Sequence, residues 1–307
     1  MAGSSTKAIV AALVGNALIA VTKFTAAAVT GSSAMFSEGI HSVVDTGNQV
    51  LLLFGLRQAS KPPDQHFPFG HGKEVYFWSF VVAIIIFALG AGVSIYEGVE
   101  AMRHPSPVEN AVVNYVVLCL AILFEGFAWA FAFREFNKSR GELGYFEAVR
   151  KGKDPTMFVV LFEDTAAMLG LLVALAGIAL AQTTGNLYFD GLASIAIGAI
   201  LAVTAAWLAY ETKGLLIGES ANRPVVEGIR RLARARSEIV YVNEVLTMHM
   251  GPAFILVNLS ADFKDGLPAG QIERTIAALD RQIKREYPEV QRVFVEAESK
   301  PAPQPQA

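Results

Sequence analysis

The chain has 307 residues, 53% of them hydrophobic and only 17% charged, with a formal net charge of −3. Soluble domains carry nearer a quarter charged residues, and stretches 75–96, 165–189 and 191–210 contain no Asp, Glu, Lys or Arg at all. That excludes an ordinary soluble core, the charge balance shows no sign of a nucleic-acid partner, and the lone Cys119 excludes a disulfide framework or a cysteine metal knuckle.

Each uncharged stretch is close to the roughly 20 residues that an α-helix needs to cross a bilayer. Read in chain order, the hydropathy pattern predicts six spanning helices, at 7–29, 33–57, 74–101, 110–136, 156–182 and 187–214. The first run is too long for a signal peptide and lacks a small-residue cleavage site, so it is expected to be retained. Thr30-Gly31-Ser32-Ser33 breaks the first apolar stretch where a tight turn belongs. The first two spans carry Lys23 and then Glu38, His41 and Asp45, which are costly facing lipid and are therefore expected to face the bundle interior or a wet cavity.

Lys and Arg concentrate after the second span (Arg57, Lys61, Lys73) and after the fourth (Arg134, Lys138, Arg140, Arg150, Lys151, Lys153). The positive-inside rule then places both termini in the cytoplasm. A bacterial inner membrane is the expected setting. From Arg223 the character changes: an Arg-rich helical pattern over Val225–Arg236, strands at Val245–Met250 and Phe254–Phe263, a helix marked by Ile272, Ile276, Leu279 and Ile283, and a strand at Val290–Val295. The expected fold is an α-helical membrane protein of six transmembrane helices over 1–215. A small cytoplasmic α-β-β-α-β domain follows over 216–299, and then a disordered Pro/Gln tail over 300–307.

His41 and Asp45 stand four apart, so an imidazole and a carboxylate share one helix face and can share one metal ion. The alternative is a His–Asp hydrogen bond that pins the bundle, but intramembrane ionisable groups mark ion or proton paths by default. On the fifth span, Glu163 and Asp164 lie about 100° apart around the axis. Asp164 is the better candidate to face the second span, with Glu163 a ligand, a group behind the ligands or a proton carrier. Asn48, one turn beyond Asp45, is expected to line the same path, and Glu125 to carry protons or make a structural hydrogen bond. Glu97 and Asp190 are expected near helix ends, where solvation is easy. The loop between the second and third spans holds Asp64, His66 and His71, a second, looser candidate for metal.

Three segments carry a resemblance: Thr30-Gly-Ser-Ser-Ala-Met-Phe-Ser-Glu-Gly-Ile-His-Ser-Val-Val-Asp45, Phe69-Gly-His-Gly-Lys73, and Glu163-Asp-Thr-Ala-Ala-Met-Leu-Gly170. In these the chain resembles the cation diffusion facilitators, transporters of zinc and related metals, over nearly its whole length. The resemblance implies a homodimer in the lipid bilayer that exchanges cytoplasmic divalent metal for protons. It implies two ligands on the second span, matched by His41 and Asp45, and two on the fifth, four apart. Asp164 matches one of these, while the other falls on Val160. Glu163 is then the substitute, similar to a branch whose fifth-span motif reads Glu-Asp. In the loop, the ligand position four before His71 falls on Phe67, with His66 displaced by one. The metal positions of the cytoplasmic domain fall on Asn243, Asn258, Glu296 and Glu298, so that domain is expected to dimerise rather than hold a histidine-rich zinc site. Lys73 matches a residue that links membrane and cytoplasmic domains by charge, and Glu219 is its expected partner.

A His with one or two carboxylates and water suits Zn²⁺, and the same set tolerates Mn²⁺, Fe²⁺ or Co²⁺. The expected function is export of such a cation, Zn²⁺ first, in exchange for protons. A non-transporting metal sensor or scaffold is the alternative, and a membrane-embedded hydrolase is a rival for which no nucleophile motif is present, so no enzyme activity is expected.

Overall fold

The computed structural model describes residues 2–107, 110–141 and 144–300. The chain is an α-helical membrane protein with a small C-terminal sheet domain. Its first helices are α1 (Ala2–Thr30) and α2 (Ser33–Ala59). Next, α3 (Glu74–Ile85), a π-helical segment (Ile86–Ala91) and α4 (Gly92–Arg103) run on as one rod. Then come α5 (Ala111–Arg140), the short α6 (Tyr145–Lys151), α7 (Pro155–Thr184) and α8 (Tyr188–Ile217). Among the described residues, four segments are long and apolar enough to cross a membrane: Glu74–Arg103, Ala111–Lys138, Phe158–Thr184 and Tyr188–Ile217.

Helix α2 is long enough but too polar by that measure, and its polarity has one cause. Glu38, then His41 and Ser42, then Asp45, then Asn48 recur three or four residues from one level to the next and form a single stripe on the helix. Glu38, His41, Ser42 and Asn48 are buried inside the bundle. The stripe thus faces protein, the arrangement that intramembrane polar groups require.

Local chemistry sets the helix ends. Gly31 takes a left-handed φ of +69° between α1 and α2, a conformation nearly free for glycine. Ser32 Oγ then accepts from Met35 N at 3.2 Å as the cap of α2. Asp154 caps α7 by accepting from Thr156 N, with Pro155 in the first helical turn. The helix α6 was not anticipated; it has only seven residues, too short to show a period.

Contacts divide the chain into two units, one of residues 1–57 with 75–213, the other of 58–74 with 214–307. In the second unit, α9 (Arg223–Arg234) precedes β1 (Ile239–Gly251), β2 (Phe254–Phe263), α10 (Ala269–Glu286) and β3 (Val290–Ala297). The sheet order is β1-β2-β3, with β1–β2 antiparallel and β2–β3 parallel. A parallel pair needs a crossover, and α10 supplies it. On β2, Ile255, Val257, Leu259 and Ala261 alternate into a core with Ile229 and Ala233 of α9 and Leu279 and Ile283 of α10. Strand β1 starts at Ile239, six residues before the expected 245. Register shifts at Ile239/Tyr241 and Val242/Glu244 break the two-residue alternation that would have revealed it. The tail beyond 300 lies outside the described residues.

Candidate metal pathway

A cavity of about 420 Å³ opens within the first unit, walled by α1, α2, α5 and α7. Asp45, Glu125, Glu163 and Asp164 all line it. The 100° offset between Glu163 and Asp164 does not separate them, because the cavity is wide enough to take side chains from adjacent positions. Val160, one turn before Asp164, lines the same wall. Asp45 and Glu163 reach each other across the gap between α2 and α7. Asn48 donates from Nδ2 to Glu163 Oε1 at 2.5 Å, so it braces this carboxylate.

His41 sits behind Asp45, 1% exposed, with Nδ1 3.3 Å from Asp45 Oδ1. Neither ring nitrogen makes a hydrogen bond, and neither does Asp45 Oδ1. Buried polar atoms are satisfied in the large majority of cases, so three orphans side by side mark a place built for something else. Among the described residues, no three His, Cys, Asp or Glu side chains are already gathered tightly enough to hold a metal ion. The cavity brings Asp45, Glu163 and Asp164 to one space, while His41 reaches it only through its neighbour Asp45.

A second network abuts the first. Lys23 of α1 is wholly buried, and its Nζ lies 3.1 Å from Glu38 Oε2, 2.8 Å from Ser42 Oγ and 2.9 Å from Glu125 Oε1. Gly170 of α7 leaves the room that Glu38 occupies, since a methyl there would collide with Glu38 Oε1. The lysine was visible in the sequence as a charge inside a span, but its partners lie 15, 19 and 102 residues away, and no local pattern joins them.

Asp190 corrects an expectation. It is not solvated at its helix end but 5% exposed, and it accepts from Ser32 Oγ at 2.5 Å, Ser33 N at 2.6 Å and Ser33 Oγ at 2.8 Å. It thereby ties the first turn of α8 to the start of α2. A carboxylate facing a helix N-terminus also meets the positive end of the dipole.

In the loop over 58–74, Asp64 and His71 come together, with His71 Nε2 3.0 Å from Asp64 Oδ2. His66 joins only through its backbone: its N–H and that of Phe67 both donate to Asp64 Oδ1 at 2.8 Å. The Phe67 N–H, and after it His71, hold the Asp64 carboxyl below its ordinary range. Lys73 Nζ lies 3.7 Å from Met248 Sδ, and Glu219 O accepts from the neighbouring His249 N at 3.0 Å. Both residues of the expected charge link therefore border the same stretch of β1.

On the sheet, the four positions implied by resemblance are engaged in hydrogen bonds. Asn258 Nδ2 donates to Glu296 Oε1 at 3.1 Å. Asn243 Nδ2 donates to Ser260 Oγ at 2.9 Å and to Glu298 O at 3.0 Å.

Residues 9–217 match the family model for the cation efflux transmembrane domain. The chain is 34% identical over 259 residues to the proton-coupled zinc antiporter SLC30A9, mitochondrial, of Xenopus laevis, covering 84% of this chain and 46% of that protein. It is 31% identical over 261 residues to metal tolerance protein C4 of Arabidopsis thaliana, covering 84% and 57%. It is 24% identical over 303 residues to the manganese efflux system protein MneP of Bacillus subtilis, covering 95% of each. The chain thus spans about half the length of the zinc antiporter it matches. With the family model covering all six long helical rods, the chain belongs to the cation efflux family.

Proposed function

We propose that this chain carries a divalent transition-metal ion, Zn²⁺ first, out of the cytoplasm in exchange for protons. The observation that carries the reading is the buried set of orphaned atoms on His41 and Asp45 beside a cavity lined by Glu163 and Asp164. A dication entering that cavity would draw the carboxylates together and complete the bonds they lack. Loading a metal on neutral imidazole and ionised carboxylate displaces protons, and this displacement is the physical root of the exchange. The name of the Xenopus laevis relative supports zinc and proton coupling.

Manganese is the second reading, because every side chain lining the cavity that could bind a cation offers oxygen, and carboxylate oxygen suits Mn²⁺. The relative named for manganese efflux matches at full length, which also supports a bacterial plasma membrane. The loop charges support cytoplasmic termini. Apolar side chains on the sheet, Leu246 at 53% and Phe294 at 49% exposure, support pairing of two copies through the C-terminal domain. Asp64 and His71 serve to shape their loop, with metal binding there subordinate.

Proteoliposomes loaded with a metal-sensitive dye test the function. Wild-type protein is expected to move Zn²⁺ against an opposing proton gradient, and Asp45→Asn or Asp164→Asn to abolish that flux while eluting as folded protein. Undiminished flux by either variant overturns the site; absence of any metal flux in the wild type overturns the function.

A further inference from the structure

We propose that Lys23 is a specificity-determining residue: its ammonium permanently fills an oxygen cage that would otherwise take a second, hard cation next to the transported one. The inference rests on the transport reading of the neighbouring cavity and concerns what that cavity excludes.

The cage is built from three oxygens on two helices. Glu38 Oε2 and Ser42 Oγ come from α2, and Glu125 Oε1 from α5, at 3.1, 2.8 and 2.9 Å from Nζ. An ammonium has three N–H donors, and all three are used. Lys23 and Glu38 are wholly buried, and Glu125 is 19% exposed. The second oxygens, Glu38 Oε1 and Glu125 Oε2, are buried and have no hydrogen-bond partner. An all-oxygen set with two carboxylates and spare lone pairs is what Ca²⁺, Mg²⁺ and Mn²⁺ prefer. In this protein the set is already answered by a cation covalently attached to α1.

The position makes the exclusion matter. Ser42 and Glu125 line the same cavity as Asp45, Glu163 and Asp164, so the cage opens onto the path a cation would take. Glu38, Asp45, Glu125, Glu163 and Asp164 could together offer five negative charges, enough for more than one dication. Lys23 engages two of the five, Glu38 and Glu125. What remains for cargo is the group on α2 and α7 with His41 behind it, and a nitrogen ligand favours zinc over the harder metals. A compact, strongly hydrated point charge that is held dry by three fixed oxygens is a stable occupant that no external ion displaces cheaply.

The test counts bound Mn²⁺ per protomer in purified full-length protein after equilibrium dialysis, by elemental mass spectrometry. Wild type is expected to hold one Mn²⁺, lost in Asp45→Asn. Lys23→Ala is expected to hold two, the added one surviving in Lys23→Ala/Asp45→Asn and disappearing in Lys23→Ala/Glu125→Gln. In Zn²⁺/Mn²⁺ competition, Lys23→Ala should shift toward Mn²⁺ by about tenfold or more. If Lys23→Ala folds only when Mn²⁺ is present, and Lys23→Ala/Glu125→Gln is not recovered by Mn²⁺, the ion has replaced the ammonium and the proposal stands. An unchanged Mn²⁺ count, an added ion indifferent to Glu125→Gln, or failure of Mn²⁺ to restore folding would each reduce Lys23 to a structural ion pair and end the proposal. Wild-type protein that binds no Mn²⁺ sensitive to Asp45→Asn would instead count against the transport site, whatever Lys23→Ala does.

Discussion

Replacing Asp190 with alanine should loosen the membrane unit without touching the metal pathway. The carboxylate accepts three hydrogen bonds, from Ser32 Oγ, Ser33 N and Ser33 Oγ, and the site is buried. Bonds to a charged group contribute about 1.5–3 kcal/mol each, and a buried donor left without a partner costs about 1–3 kcal/mol. The two hydroxyls can rotate toward another acceptor. The Ser33 N–H cannot rotate; it is one of the four donors that any helix N-terminus leaves open. The full cost is therefore about one stranded amide plus part of two hydroxyl bonds, roughly 2–4 kcal/mol. For a unit of this size each kcal/mol moves the melting temperature by about 2–4 °C, so Asp190→Ala should melt roughly 5–15 °C below wild type in the same detergent. Asp190→Asn, which keeps one acceptor oxygen, should lose less than half of that. The assay is thermal unfolding followed by tryptophan fluorescence, with metal absent. A melting temperature for Asp190→Ala within about 1 °C of wild type would refute the view that this carboxylate ties α8 to α2.

Four further outcomes are expected. Glu163→Gln should weaken zinc binding in equilibrium titration: strongly if Glu163 binds the ion directly, by about 10- to 100-fold if it acts from behind the ligands, and unchanged affinity would make it a bystander. Val160→His places an imidazole one turn before Asp164 on the cavity wall and should tighten zinc over manganese by about tenfold, ~1.4 kcal/mol, read in the same titration and including the Glu163→Gln background. Gly72→Ala should displace the loop over 58–74, because the added methyl would collide with Met250 O; overpacking of this kind costs about 1–3 kcal/mol, and limited proteolysis within the loop should accelerate. Asp64 has a carboxyl held below its ordinary range, so its contribution to loop order is present above the unfolded value of about 3.9 and disappears as pH falls through the lower folded value; Asp64→Asn should therefore reduce hydrogen-exchange protection of the Phe67 amide at pH 7, and the difference from wild type should shrink as pH falls through the folded value.

Much of the fold was legible because membrane spans announce themselves by length and missing charge. The apolar rods at 74–103 and 188–217 are uncharged over 75–96 and 191–210, and β2 shows a clean two-residue alternation from Ile255 to Phe263. His41 and Asp45 were legible as a pair because four residues make one helical turn. What could not be read depends on contacts between distant segments. Lys23 and Glu125 are 102 residues apart, and Asp190 meets Ser33 across 157. A helix end looks solvated in sequence until another helix start arrives to cover it. Glu163 and Asp164 were separated on geometric grounds that hold for a point but not for a cavity with room for both. Strand β1 hid behind its own bulges.

The π-helical segment Ile86–Ala91 carries a consequence for how the third rod tolerates insertion and deletion. Gly92 N–H bonds to Phe87 O, five residues back, as well as to Leu89 O. Such a wide turn houses one residue more than an α-helical turn. In a regular helix, deleting a residue rotates everything beyond it by about 100° and turns a lipid-facing side toward the bundle. Here the surplus residue is already stored in the coil. A single deletion within 86–91 would tighten that turn to α-helical geometry and leave Ser79 and Ser94, both buried, on their present faces. The same deletion two turns earlier, or in the unbroken α8, would put the two ends of the rod out of phase. The rod thus contains its own length reserve, placed where backbone groups have no water to turn to and must be satisfied by the helix itself.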